Sequence, residues 1–513
     1  MDPFRPARRG TYPLACRSMS TAEAPATTRT FFGHPAGLST LFFTEFWERF
    51  SYYGMRALLV LYLVAPPDGA TPPGAGLGMS TATASAIYGT YVALVYLFPL
   101  LGGWIADRLW GFRRAVLVGG IVIACGHYSM AVPSELTFWL GLLLIALGTG
   151  LLKPNISAMV GELYHDNDTK RDAGFSIFYM GINLGAFVAP LVTGYLMDAR
   201  GWHWAFGAAA LGMTFGVVQY VIGGRTTLGT IGTHVPNPAN SAQKRGFYLV
   251  VFGSIAAIVA VTAIRAAIWG FDITDVVDTL AIFILIVPIV YFVRMFRIPN
   301  LTGEQKGRLH AFLGLFLGAA VFWMIYDQAG STLSVFAEDK TDLTVGDFTI
   351  PVPWLQSINP IFIIIFAPIF AAIWSKLGDR APSTPLKFAW ALLGISLSFL
   401  IMIIPALQAD TGAEVAVWWL VGVYLIQTWA ELLLSPIGLS ASTRLAHPGM
   451  EGQMLALWFL AVSVGDTIGA QILSRIGDNY VRVFTVFGIM ALVAGIIALL
   501  FVPKLKKLMG GVH

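Results

Sequence analysis

The chain has 513 residues, of which 56% are apolar and only 12% charged; 32 Lys+Arg against 28 Asp+Glu leave a formal net charge of +4. A typical soluble domain is about 25% charged, so this composition excludes a disordered protein, a coiled coil and an ordinary cytosolic enzyme, and calls for many helices dissolved in lipid. Two cysteines, Cys16 and Cys125, exclude a disulfide scaffold and a thiolate metal cluster, and no basic run with interleaved aromatics marks a nucleic-acid partner.

Residues 1–38 are polar and basic, with Arg5, Arg8, Arg9, Arg17 and Arg29. They contain no apolar core of a signal peptide, so a cytoplasmic N-terminal tail is expected, with Met19 as an alternative start. Apolar stretches long enough to cross a hydrocarbon core of roughly 30 Å then follow one another. They are expected at 39–65, 80–107, 113–132, 136–160, 171–198, 203–223, 246–268, 273–298, 306–335, 352–377, 384–407, 415–443, 450–474 and 480–503, which makes fourteen helices. With the N-terminus inside, 24 of the Lys and Arg fall in inside segments, 5 in outside segments and 3 within spans. This bias, alternating strictly along the chain, predicts that both termini are cytoplasmic. Residues 224–246 are polar and turn-rich and read as a linker. Six spans precede it and six follow an added pair. The expected organisation is therefore a six-helix bundle over 39–223, a linker and additional pair over 224–305, a second bundle over 306–503 and a C-terminal tail over 504–513, with a path between the bundles.

Charged side chains inside a span are costly and mark functional sites. The spans contain Glu45, Glu48, Arg49, Arg56, Lys153, Asp327, Glu431 and Asp466. In the first, Glu45, Glu48, Arg49, Tyr52, Tyr53 and Arg56 recur at offsets of 3, 4, 7, 8 and 11, which is one helical stripe. A core stripe would be Leu and Val; fixed ion pairs that only orient helices would need fewer charges. The intramembrane carboxylates outnumber the cations, and an unpaired, desolvated carboxylate binds a proton; transport coupled to protons follows as a hypothesis. Lys153 sits beside Pro154 after Gly148 and Gly150. Tyr179 and Asn183 are one turn apart, as are Trp323 and Asp327, and Glu431 and Ser435. Asn359 precedes Pro360, and Trp323 and Trp458 lie well inside their spans rather than at an interface. Cations, carboxylates, amides and aromatics together suit a zwitterion such as an amino acid or short peptide. The eight histidines are scattered and receive no ligand role. No phosphate-binding GxxxxGK[ST] run and no nucleophile–His–acid grouping is present, so neither ATP drive nor enzymatic activity is expected.

The stripe Glu45-x-x-Glu48-Arg49-Phe50-x-Tyr52-Tyr53-Gly54 resembles the first signature of the proton-dependent oligopeptide transporter (POT) family of the major facilitator superfamily. Phe178-Tyr179-x-x-Ile182-Asn183-x-Gly185 resembles its second, and Gly103-x-x-x-Asp107-Arg108-x-x-Gly111-x-Arg113-Arg114 resembles the superfamily's loop between helices two and three. The resemblance covers roughly residues 40–505. It implies an all-α major facilitator fold with two extra central helices, and a symporter that imports di- and tripeptides with protons across a bacterial inner membrane, acting as a monomer without a further cofactor. It further implies proton coupling by Glu45, Glu48, Arg49 and Lys153, and a gate pair Arg56–Asp327. Substrate contacts would come from Tyr52, Tyr53, Arg56, Tyr96, Lys153, Tyr179 and Asn183 on one bundle. Trp323, Asn359, Glu431, Ser435 and Trp458 would supply them on the other, with Glu431 on the peptide amine. Eukaryotic members carry a second-helix histidine, and Ile87–Tyr96 has none; the seventh-helix acid is Asp327 where some members have Glu. The competing readings are proton-coupled transport of nitrate, an amino acid or a drug, and a non-transporting peptide sensor.

Overall fold

A computed structural model describes residues 30–68, 74–164, 170–447 and 450–510. Fourteen long helices fill it. They are α1 (Gly37–Val64), α2 (Thr81–Trp110), α3 (Phe112–Ala131), α4 (Glu135–Glu162), α5 (Arg171–Arg200), α6 (Trp202–Thr227), α7 (Ser241–Trp269), α8 (Ile273–Phe296), α9 (Gly303–Lys340), α10 (Val352–Leu377), α11 (Thr384–Asp410) and α12 (Trp418–Arg444), then α13 (Glu451–Ile476) and α14 (Tyr480–Leu508). Thirteen are long and apolar enough to cross a membrane. The exception is α1, whose 28 residues carry Glu45, Glu48, Arg49 and Arg56.

Local chemistry sets where the helices begin and end. Asn240, Asp272 and Thr302 close capping boxes with Gln243, Asp275 and Gln305 at the starts of α7, α8 and α9, satisfying orphan backbone donors where the chain re-enters the bilayer. Single glycines with positive φ separate close helix pairs: Gly111 (φ 77°) turns α2 into α3 and Gly201 (φ 94°) turns α5 into α6, a backbone region that costs glycine nothing. The helix α9 breaks into a 3-10 turn at Asp327–Gly330 and continues to Lys340, five residues past the expected end. At the C-terminus α14 runs on to Leu508, so the first half of the segment read as a tail is helix: Lys504, Lys506 and Lys507 are polar enough to end an apolar window but are good helix formers.

In the first bundle α1 packs along α5 and α6, and α3 along α4 and α6. In the second α11 lies along α12 and α14, and α9 along α13. The two meet along α2 and α13, and along α5 and the start of α10. Of the added pair, α8 leans on α2 and α13, where Gln471 of α13 donates to Asp278 (2.9 Å), and α7 is tied to α8 by its Arg265 guanidinium on Asp275 and Asp278 (2.8 and 2.9 Å). No residue of α7 is buried, as befits a helix surrounded by lipid.

The polar contacts between bundles lie in the helix halves remote from the chain termini. Trp354 Nε1 donates to the Leu191 carbonyl (2.9 Å) and Ser357 Oγ to that of Phe187 (2.8 Å). Ser463 Oγ donates to the Ala93 carbonyl (2.6 Å), and Arg56 reaches Asp327. Tyr179, on the opposite half of α5, keeps 47% of its surface open. The molecule is thus sealed at the end away from its termini, the geometry of one alternating-access state.

Candidate functional site

The charged stripe of α1 faces protein. Glu45, Glu48 and Arg49 are 3%, 0% and 3% exposed, which meets the requirement that intramembrane charge point away from lipid. Arg49 Nε lies 3.1 Å from Glu45 Oε1 and pairs with Glu48 Oε2. One guanidinium therefore serves two carboxylates. The other oxygens, Glu45 Oε2 and Glu48 Oε1, find no hydrogen-bond partner among the described residues, nor does Arg49 Nη2. The stripe sits where α1 and α5 approach closely, because Gly185 offers only hydrogen to the Phe46 carbonyl and to Arg49.

Lys153 comes to the same region from α4, where Pro154 interrupts the backbone ladder. It makes no ion pair with Glu45 or Glu48 among the described residues. Instead its ammonium stands 3.9 Å from the centroid of the Tyr96 ring, with Phe459 of the second bundle at 6.0 Å. A cation held against an aromatic face and lacking an acid partner is available to an incoming carboxylate.

Two turns beyond Arg49 on the stripe, Arg56 donates from Nη2 to Asp327 Oδ1 and from Nε to Tyr88 Oη, each at 2.5 Å. The Tyr53 and Tyr88 rings flank its guanidinium at 5.8 and 5.7 Å. The pair joins the first helix of one bundle to the first helix of the other.

Across the seam, Glu431 on α12 accepts from Tyr326 Oη (2.5 Å) and Asn359 Nδ2 (3.2 Å). Asn359 also reaches Thr428 Oγ1 (2.9 Å). No cation pairs with Glu431 among the described residues. Trp323 stands edge-on to Tyr326 at 5.1 Å, and its Nε1, like Ser435 Oγ, is a buried group without a hydrogen-bond partner among the described residues.

The structure thus groups Glu45, Glu48, Arg49, Tyr52, Tyr53, Arg56, Tyr96 and Lys153 on one side and Trp323, Asn359 and Glu431 on the other. Tyr52 lies beneath Arg49, whose guanidinium is 5.3 Å from its ring. Asn183 turns inward, 5% exposed, and spends its amide on the Tyr179 carbonyl one turn back (3.0 Å). Trp458 is the outlier: 4% exposed, it packs on Phe388 (6.0 Å) and over Gly438 within the second bundle. Sequence reasoning missed Tyr88, Tyr326 and Thr428. Tyr326 was within reach, one turn after Trp323 and beside Asp327 on a charged stretch; Tyr88 acquires meaning only from a partner 32 residues away.

Comparison with known proteins fits this architecture. A family model described as the POT family matches residues 113–490, a range that omits the α1 stripe. An uncharacterized transporter of Bacillus subtilis is 43% identical over 94% of this chain and 96% of its own. A di-/tripeptide transporter of Lactococcus lactis subsp. cremoris is 43% identical over 95% of this chain and 99% of its own. The crystal structure of a peptide transporter POT in complex with sulfate superposes with a TM-score of 0.88 at 44% identity, covering 94% of this chain and 97% of that one. With signature stripe, two-bundle fold and near full-length similarity agreeing, the chain belongs to the POT family.

Proposed function

We propose that this protein is a symporter that imports di- and tripeptides together with protons across a bacterial inner membrane, with both termini in the cytoplasm. The single observation behind the substrate class is the division of charge across the seam. Lys153, without an ion-pair partner among the described residues, stands on the first bundle. Glu431, hydrogen-bonded among the described residues by neutral Tyr326 and Asn359 alone, stands on the second. A peptide carries a carboxylate and an ammonium at opposite ends and neutralises both. Nitrate or another small anion would leave Glu431 buried and uncompensated, which is unfavourable.

The coupling follows from Arg49. Glu45 and Glu48 share it, and both are desolvated; a proton on one carboxyl relieves the excess negative charge and frees Arg49 for the other. A peptide carboxylate drawn to Lys153 adds a negative charge beside this set, so proton and peptide favour each other's presence. Alternating access then exchanges the sealed end with the open one.

The test is uptake of labelled dialanine into liposomes holding the purified protein, with and without an inward proton gradient, beside Glu48→Gln. Gradient-driven accumulation that Glu48→Gln loses while it keeps dialanine exchange supports the reading. Folded protein that neither accumulates nor exchanges dialanine overturns it.

A further inference from the structure

The helix α7 spans 29 residues and buries none of them against the rest of the described structure. The hydrogen bonds and ring contacts that join it to other helices lie toward its two ends. At the open end of the molecule the linker before α7 is tied to the last turn of α2. Asn237 donates its backbone amide to the Asp107 carbonyl and Nδ2 to Asp107 Oδ1 (2.9 Å each), and the Ala239 amide donates to the Arg108 carbonyl (3.0 Å). In the second turn of α7 the Phe247 ring lies flat on that of Trp104 of α2, with 3.9 Å between centroids and 6° between planes. Two attachments in succession fix the direction of a stiff helix as well as its start, and both are to the first bundle.

The partner helix α8 is fixed to the second bundle at both of its ends. Near the sealed end Gln471 of α13 donates to Asp278 Oδ1 (2.9 Å), and Arg475 holds that amide by donating to Gln471 Oε1 (2.7 Å). Near the open end Phe292 stands 5.1 Å from Phe316 and Phe296 stands 4.8 Å from His310, both on α9. Along its flank α8 also rests against α2, so it covers the seam. The two arms meet toward the sealed end. Arg265 of α7 places Nε on Asp275 Oδ1 (2.8 Å) and Nη2 on Asp278 Oδ2 (2.9 Å). A planar guanidinium held at two points has a fixed orientation that an ammonium lacks. Asp278 gives its other oxygen to Gln471, so the clasp on α7 and the anchor on α13 share one carboxylate.

We propose that the added pair is a brace between the bundles, with the Arg265 clasp as its pivot. The arm α7 follows the first bundle and the arm α8 follows the second. The angle between the arms is therefore tied to the angle between the bundles, and the clasp stiffens it. In the state described here the brace limits how far the open end parts. When the bundles rock, the arms turn about the clasp, and the pair does not travel as one rigid body. This goes beyond the symport reading above and does not depend on what is carried.

The brace is tested by the distance between spin labels at positions 114 and 506, at the open ends of the two bundles. The measurement uses full-length protein in bilayers without substrate, with Cys16 and Cys125 replaced by Ser. Arg265→Gln opens the clasp, and Phe247→Ala frees the direction of α7; Trp104→Leu serves the same purpose should Phe247→Ala fail to fold. Each change should shift the distances longer and broaden their spread. Because clasp and stack act in series, the variant carrying both should read like either one alone. Distances that stay unchanged or shorten in either single variant, or shifts that add in the double, overturn the proposal. Dialanine exchange by the unmodified protein in the same bilayers tests the symport reading separately, since its failure leaves these distances untouched.

Discussion

Arg56 and Asp327 meet at 2.5 Å across the seam between the two bundles, one from the middle of a helix and the other from the 3-10 turn that interrupts its counterpart. They are 271 residues apart in the chain, and both side chains are largely out of water. A buried pair adds little when compared with apolar side chains of the same volume, but losing one partner strands the other.

Asp327→Asn is therefore expected to leave a buried guanidinium unpaired, at a cost of about 3–5 kcal/mol to the sealed state. The sealed end should open, and reagents added from outside should reach cysteines placed near Tyr88. Arg56→Asp should behave similarly. The swap Arg56→Asp with Asp327→Arg should recover part of the loss. A double variant no more sealed than either single one would show that the pair does not hold the gate.

The Lys153–Tyr96 contact predicts a separation between ring and hydroxyl. Tyr96→Phe keeps the face on which the ammonium rests (3.9 Å) and should keep dialanine affinity. Tyr96→Leu removes it and should weaken binding by about two- to fivefold, the worth of a partly exposed cation–π contact of roughly 0.5–1 kcal/mol. Lys153→Gln should lose more, since it removes the charge itself. Equilibrium binding of dialanine to the three variants decides; equal loss in Tyr96→Phe and Tyr96→Leu would point to the hydroxyl.

Much of this was legible in the sequence, for reasons that particular residues make plain. Thirteen of the fourteen helices follow from apolar length alone. The stripe from Glu45 to Arg56 stands out because carboxylates and guanidiniums recur at helical spacing where lipid forbids them. What sequence does not display depends on contacts far along the chain. Trp458 and Trp323 look alike as mid-span tryptophans, yet Trp458 is enclosed by Phe388 and Gly438 while Trp323 stands beside Tyr326. The seam contacts Trp354–Leu191 and Ser357–Phe187 use backbone carbonyls, which no residue type advertises.

Gly185 offers a test of how tightly the coupling set is built. A methyl there would lie 2.5 Å from the Phe46 carbonyl oxygen, 3.1 Å from Arg49 Cβ and 3.2 Å from the Phe50 nitrogen. Backbone cannot yield as a side-chain tip can, so Gly185→Ala should push α5 from α1 and destabilise the bundle by about 1–3 kcal/mol. Because the strain falls at Arg49, gradient-driven accumulation should fall more than dialanine exchange. Gly253→Ala, on α7 with open space around it, is the control and should change neither. Unchanged thermal unfolding in Gly185→Ala would contradict the packing.

Glu431 makes the most specific prediction about substrate. Its carboxylate is oriented by Tyr326 and Asn359 and would meet the peptide ammonium in a charge-assisted hydrogen bond, worth about 1.5–3 kcal/mol. Acetylating the amine of dialanine should therefore weaken binding to the unmodified protein by about ten- to a hundredfold, the same energy expressed as a ratio. In Glu431→Gln the blocked and unblocked peptides should bind more nearly alike, because the partner that distinguishes them is gone. The two changes thus form a cycle whose coupling energy reports the contact itself. Tyr326→Phe should lie between, since it loosens the carboxylate without removing it. A cycle with no coupling would place the amine elsewhere, and the division of charge across the seam would then need another ligand chemistry to explain it.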